Sequence, residues 1–170
     1  MRGRAVFGAY QDMDEAVTLR PIGPDDQAFL FDVYASTRVG DLTSVPWDDL
    51  QKAAFLQMQF NAQQQYYHEQ YPNGSYDIVL VDGRPAGRLY VNRGTDELRI
   101  VDISLLPVWR NRRIGTHLIG SLQTEAALAR KPLRIHVERF NPALRLFERL
   151  GFVPVADRGV YLFLEWRTSD

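Results

Sequence analysis

Residues 98–107 read Leu98-Arg99-Ile100-Val101-Asp102-Ile103-Ser104-Leu105-Leu106-Pro107, and residues 110–119 read Arg110-Asn111-Arg112-Arg113-Ile114-Gly115-Thr116-His117-Leu118-Ile119. The first run is β-rich and apolar and is closed by a proline. The second becomes apolar at helical spacing after Thr116. A strand is thus handed to a helix through a basic turn that contains glycine. A helix start leaves backbone N–H groups without carbonyl partners and carries the positive end of the helix dipole. With three arginines at 110, 112 and 113, phosphate is the natural guest of that turn. A solvated basic turn is the plainer alternative.

Upstream, Val17-Thr18-Leu19-Arg20-Pro21 alternates as a short strand. Asp25 or Asp26 can cap a helix to about Thr37, with Phe29, Leu30, Val33 and Tyr34 as its apolar face. Residues 38–46 read as a loop, and Trp47 to about Tyr71 as a long helix stopped by Pro72-Asn73-Gly74. Tyr76–Val81, the Asp82-Gly83 turn and Arg84–Asn92 form a hairpin, and Glu97–Leu106 the next strand. Downstream come a helix over 114–130 and the strand Leu133–Val137. A helix opened by Asn141-Pro142 and ended by Gly151 precedes a hairpin of Val153–Ala156 and Val160–Arg167. The expectation is an α/β domain over residues 16–170, with a mixed sheet of about seven strands flanked by about four helices. Residues 1–15 carry two arginines and no apolar core, so they read as a loose N-terminal arm rather than a signal peptide.

The chain has 170 residues, 45% hydrophobic and 24% charged, with a net charge of −1. No global basic field recruits nucleic acid or a membrane surface, so the basic turn suits a small phosphorylated ligand. Absence of cysteine excludes thiol nucleophiles, disulfides and Cys-ligated zinc, and suits a reducing, cytoplasmic setting. No apolar run approaches the roughly 20 residues that span a bilayer. The three histidines lie far apart, so no metal site is expected.

Two motifs resemble the GNAT superfamily of acyl-CoA-dependent N-acyltransferases. Leu105-Leu106-Pro107 followed by Arg110–Thr116 is similar to that family's Gln/Arg-x-x-Gly-x-Gly/Ala signature after a strand end. Asn141-Pro142-Ala143-Leu144-Arg145-Leu146-Phe147-Glu148-Arg149-Leu150-Gly151-Phe152 resembles its Asn…Leu-Tyr-Glu-x-Leu-Gly-Phe segment. Leu19-Arg20-Pro21 before Asp25-Asp26 is a weaker third match. Two departures stand out: Arg113 occupies the position of a usual glycine, and Phe147 that of a tyrosine proposed as general acid. The Asn-to-Phe spacing is also one residue shorter than the commoner pattern.

The resemblance implies an N-acetyltransferase using acetyl-CoA or another acyl-CoA. Its cofactor contacts would be Ile103, Ser104, Leu105, Arg110, Asn111, Arg112, Arg113, Ile114, Gly115, Thr116, Asn141 and Phe147. The backbone of Ile103–Leu105 would pair with the pantetheine arm like an added strand, making Leu105 N–H the oxyanion donor. For a base, Asp102 is the anomaly, a carboxylate inside an apolar run. Its alternative is a structural pair with Arg88, Arg99 or His136. Glu97 resembles the base of histone-type relatives, and a solvated strand-end charge is its plainer reading. By alternation Glu97 shares a face with Leu105, with Asp102 opposite unless a bulge intervenes. His136 could relay protons or sit as a structural histidine. Tyr90, Tyr161 and Ser104 are candidate acids, although a thiol of pKa near ~8.5 can leave as thiolate without one.

Substrate selection would fall to the first helices: Trp47, Gln59, Gln63 and Tyr66, with Asp48 or Asp49, could form a polar-aromatic pocket for a small-molecule or peptide amine. The plainer reading there is a core stripe of Phe55, Gln59, Ala62 and Tyr66. Direct transfer is expected, since no cysteine exists to carry an acyl group. The rival is a non-catalytic acyl-CoA-binding or interaction module on the same fold, favoured by Phe147. A nucleotide binder lacks the glycine motifs it needs. A homodimer through the final hairpin or a sheet edge is open.

Overall fold

The computed structural model describes residues 4–5 and 15–169. Among the described residues, eight strands form one sheet: β1 (Arg4–Ala5), β2 (Val17–Pro21), β3 (Ser75–Val81), β4 (Arg84–Arg93), β5 (Leu98–Leu105), β6 (Leu133–Glu138), β7 (Val153–Arg158) and β8 (Tyr161–Trp166). Their order across the sheet is β1-β2-β3-β4-β5-β6-β8-β7. Every neighbouring pair is antiparallel except β5 and β6, the one parallel join. The mixed sheet expected from the sequence is present, with β1 added: Arg4–Ala5 pair with Thr18 and Leu19. Most of the expected N-terminal arm lies outside the described residues.

The helices are α1 (Gln27–Ser36), α2 (Val39–Leu42), α3 (Asp49–Gln70), α4 (Ile114–Ala129) and α5 (Leu144–Arg149). Two apolar clusters sandwich the sheet. Ile114, Leu118, Ile119, Leu122 and Ala126 of α4 pack with Val79, Leu89, Ile100, Leu133 and Leu164. Leu30 and Tyr34 of α1, Leu42 of α2, and Leu56 and Phe60 of α3 pack on Ile78. Ile78 and Val79 are adjacent in β3, so strand alternation puts the two clusters on opposite faces. Each fully buried Leu or Ile of this kind stabilises the fold by about 1.5–3 kcal/mol.

Three sequence expectations need adjustment. The segment 38–46 holds the short α2, which brings Leu42 into the core. Helix α3 starts at Asp49 rather than Trp47, because Asp48 and Gln51 form a reciprocal capping box. Its inward stripe runs through Leu56 and Phe60 to Gln63 and Tyr67, one residue out of phase with the predicted Phe55, Gln59, Ala62 and Tyr66. Glutamines and tyrosines fill both faces of this helix, so apolar spacing alone could not choose the phase.

Two local features of β5 shape the site. First, Tyr90 pairs with Asp102 and Val91 with Ile100, so Val101 is an extra residue, a β-bulge. Before it, Leu98 and Ile100 face the α4 cluster; after it, Ile103 and Leu105 do. Second, β5 pairs with β6 only through Leu98–Leu133 and Arg99–Arg134, and beyond these the strands part. The Leu106 N–H donates back to Ala86 O on β4 at 2.9 Å. By alternation, the N–H and C=O groups of Leu105 and Ile103 point to the opposite edge, into the gap.

Candidate active site

The bulge places Glu97, Arg99, Asp102 and Ser104 together on the face of α1 and α3, with Leu105 on the other face. The predicted sharing of a face by Glu97 and Leu105 is therefore reversed for the side chains. On this face the Asp102 carboxylate receives four hydrogen bonds. Arg88 donates through Nε to Oδ1 at 3.1 Å and through Nη2 to Oδ2 at 2.9 Å. Ser104 Oγ donates to Oδ1 at 2.8 Å and Tyr67 Oη to Oδ2 at 3.0 Å. Among Arg88, Arg99 and His136, the partner is Arg88. That guanidinium is 1% exposed and also donates to Gln63 Oε1 at 2.9 Å. Burial works against its charge, yet Asp102 holds its pKa above the ordinary arginine range. The Tyr90 hydroxyl is buried against Arg88 and Gln64 without a well-aligned hydrogen bond to either.

Tyr67, from the C-terminal half of α3, is the residue the sequence reading missed. Burial, and next the Asp102 charge, push its hydroxyl well above the usual tyrosine range, so it stays a donor. Tyr161 on β8 lies within electrostatic reach of it. The signal for Tyr67 was the adjacency of Gln63 and Tyr67 at i,i+4, legible only once the phase of α3 is known.

Glu97 chelates Arg99 at 2.7 and 2.9 Å and lies 3.7 Å from Arg134. His136 on β6 stacks on Phe163 with centroids 4.5 Å apart, and its Nδ1 is 3.4 Å from Arg99 Nη1. Burial first, then Arg99 and Arg158, lower its pKa against the opposing pull of Glu97.

At the turn, Asn111 and Arg113 adopt left-handed backbone with φ of 60° and 63°. A glycine meets that geometry without strain, which accounts for the family residue at the Arg113 position. Arg113 O accepts the first helical N–H, that of His117, at 3.0 Å. The amides of Ile114, Gly115 and Thr116 therefore open the helix, as expected of an anion cradle. Gly115 also allows a close approach of α5: a Cβ there would lie 3.3 Å from Leu146 Cδ2. The arginines do not act as one cluster. Arg112 lies over Trp109 at 5.0 Å and reaches Glu15 at 3.4 Å. Arg110 turns back to the strand end, donating through Nε to Leu105 O at 2.9 Å and through Nη2 to Ser36 Oγ at 3.3 Å.

The second motif is built into the fold. Asn141 Oδ1 accepts from Ala143 N at 2.9 Å and its carbonyl from Leu144 N at 3.0 Å, so it shapes the start of α5. Phe147, expected at the cofactor, is 2% exposed and packs edge-on against Phe152 at 5.2 Å. Of the substrate candidates, only Gln63 joins the Asp102 group. Gln59 accepts from Tyr34 Oη at 3.2 Å, Trp47 packs on Phe55 at 5.3 Å, and Tyr66 is 57% exposed.

The fold agrees with that of known proteins. The Acetyltransferase (GNAT) family model matches residues 41–152, more than half of the chain, and the chain belongs to that family. No curated relative matches it. The chain is similar in fold to the PaiA N-acetyltransferase of Thermoplasma acidophilum in complex with coenzyme A, with TM-score 0.66 and 14% identity, covering 90% of this chain and 99% of that one. It is similar also to an acetyltransferase from Thermus thermophilus, with TM-score 0.64 and 19% identity over 89% and 97% of the two chains. A histone acetyltransferase HPA2 and related acetyltransferase from Corynebacterium glutamicum gives TM-score 0.60 and 19% identity over 89% and 95%. Among the described residues, no helix is long and apolar enough to cross a membrane.

Proposed function

We propose that this protein is an N-acetyltransferase that moves the acetyl group of acetyl-CoA directly to a primary amine of a small molecule or peptide. The observation that carries this reading is adjacency: the open edge of β5 at Ile103 and Leu105 leads straight into the N-terminus of α4. The residues fit the cofactor. Amides of Ile114, Gly115 and Thr116, with Arg112 and Arg113, would hold its pyrophosphate. Ile103 and Leu105 would pair with its amide-bearing arm. When bound, acetyl-CoA supplies an activated acetyl thioester. Leu105 N–H is then the donor for the acetyl oxygen. Arg110 must release the Leu105 carbonyl before anything else pairs with it.

The candidate bases are all engaged. Asp102 is held by Arg88, Tyr67 and Ser104, Glu97 by Arg99 and Arg134, and His136 Nδ1 faces Arg99. In this reading the site selects the neutral amine, whose proton goes to water, and Asp102 holds Tyr67 and Ser104 in place. Phe147 has no proton to give, so the thiol leaves as a thiolate and takes its proton from water.

Thermal-shift titration with acetyl-CoA, coenzyme A and ATP tests the reading, on wild type and on Arg112→Ala/Arg113→Ala. Saturable stabilisation by both CoA species, weakened in the variant and absent with ATP, is expected. Absence of a CoA response overturns it. Initial velocities against an amine panel should intersect as for a ternary complex. A ping-pong pattern with a trapped acyl-enzyme would exclude direct transfer, and CoA binding with no turnover would favour the non-catalytic module.

A further inference from the structure

Phe163 lies between Leu162 and Leu164, which pack toward α4, so its ring faces the other side of the sheet. It sits close to the point where β5 and β6 part. The imidazole of His136 stacks on it, and the guanidinium carbons of Arg99, Arg158 and Arg134 lie 4.8, 5.2 and 5.9 Å from its centroid. Cations over an aromatic face are attracted by the ring's quadrupole. What matters is which of these groups already have partners.

The carboxylates beside the ring are taken. Glu97 holds Arg99, and Glu165 receives Arg134 at 2.8 Å and Arg167 at 2.6 Å. Asp157 is held by Arg139 at 2.6 Å. Arg158 differs: among the described residues no carboxylate lies within ion-pair distance of it, and its guanidinium lies over the Phe163 ring. The imidazole is the second unusual group. Arginine can only donate, so the 3.4 Å contact of Arg99 Nη1 with His136 Nδ1 makes that nitrogen an acceptor. The ring proton of neutral His136 then sits on Nε2, as a donor. A visitor to this face meets a guanidinium with no carboxylate partner and an imidazole N–H, both lying against the Phe163 ring, with the neighbouring acidic groups already neutralised.

We propose that the face around Phe163, Arg158 and His136 is a carboxylate subsite, which restricts the acceptor to amines that carry a carboxylate, such as an amino acid or a peptide. Assigning that carboxylate to the acceptor rests on the acetyltransferase reading above; the subsite itself does not. A planar two-oxygen anion matches the guanidinium fork.

Nitrogen NMR of the His136 ring tests this, titrating wild type and Arg158→Gln with sodium acetate and, separately, inorganic phosphate at constant ionic strength. Arg158 is exposed in a hairpin, so its replacement leaves the core intact. Acetate should shift the Nε2 signal saturably, with affinity about tenfold lower in Arg158→Gln, as for one charge-assisted hydrogen bond. An α-amino acid should also outbind its C-terminal amide by about tenfold, on the same grounds. No acetate response, or an equal response in the variant, overturns the proposal, and tighter binding of phosphate than acetate reassigns the site to phosphate. Coenzyme A titrated in parallel separates the two readings. A CoA response without an acetate response defeats the subsite alone. An acetate response without a CoA response defeats the transferase reading alone.

Discussion

Arg88 on β4 grips Asp102 on β5 with two hydrogen bonds, of 3.1 and 2.9 Å, in a part of the sheet that α3 covers. Taking two charges out of water is costly, and their attraction repays it only with good geometry and further hydrogen bonds. Both conditions are largely met, since Tyr67 and Ser104 donate to Asp102 and Gln63 accepts from Arg88, while Arg88 Nη1 stays buried with no hydrogen-bond partner among the described residues. The pair therefore fixes how α3 sits on the sheet.

Removing one charge should be far worse than removing both. Asp102→Asn leaves a guanidinium that is 1% exposed without its counter-charge. We expect a loss of about 3–5 kcal/mol, and a smaller loss in Arg88→Leu/Asp102→Leu. Urea unfolding of the three proteins checks this. A double variant less stable than Asp102→Asn would refute the account.

Gly87 tolerates no side chain. A Cβ there would collide with the Ser104 carbonyl and come within 2.9 Å of Leu105 Cα. Gly87→Ala should cost about 3 kcal/mol or more, because backbone on a central strand cannot yield like a side-chain tip. The melting temperature of the purified variant measures it.

The turn makes the opposite prediction for Arg113, whose φ is 63°. Arg113→Gly should leave stability unchanged or raise it by up to about 1 kcal/mol, as left-handed strain is relieved against a looser unfolded chain. Arg113→Val should lower it by a similar amount or more. Chemical denaturation midpoints separate the two.

Acidification should weaken the fold in a window set by His136. Its pKa is lowered from the ordinary 6.5, so below 6.5 the unfolded chain binds more protons than the folded one. Stability should fall as pH drops through 6.5 and level off below the folded value, and His136→Gln should flatten that slope. A separate loss at lower pH belongs to Asp26, whose carboxylate Arg20 and the Gly23 amide hold below the usual 3.8. Melting temperatures across this range report both.

The succession of strands and helices along the chain and the β5–turn–α4 junction were legible because alternation, turn residues and helical spacing are local signals; the order of strands across the sheet is not a local property. The anomaly of Asp102 was legible too, and Arg88 stood among its candidate partners. The phase of α3 was not: Gln63, Gln64, Tyr66 and Tyr67 are all plausible inward residues, and only the position of Arg88 on β4 decides among them. Arg110 stood out by its place in the turn, but its direction, toward Leu105 O and Ser36, depends on α1, which lies 74 residues away in sequence. Phe147 read as a cofactor contact because its motif did; burial against Phe152 is a tertiary fact.

Val101 works as a single-residue phase shift. Deleting it would restore strict alternation to β5, turning Asp102 and Ser104 into the oily layer under α4 and Ile103 and Leu105 out toward α3. The same neighbouring letters would then spell a strand with a carboxylate stranded in hydrocarbon and no ligand for Arg88. A conservative change such as Val101→Ile leaves that count intact. The strand can thus vary in composition at this point far more freely than in length.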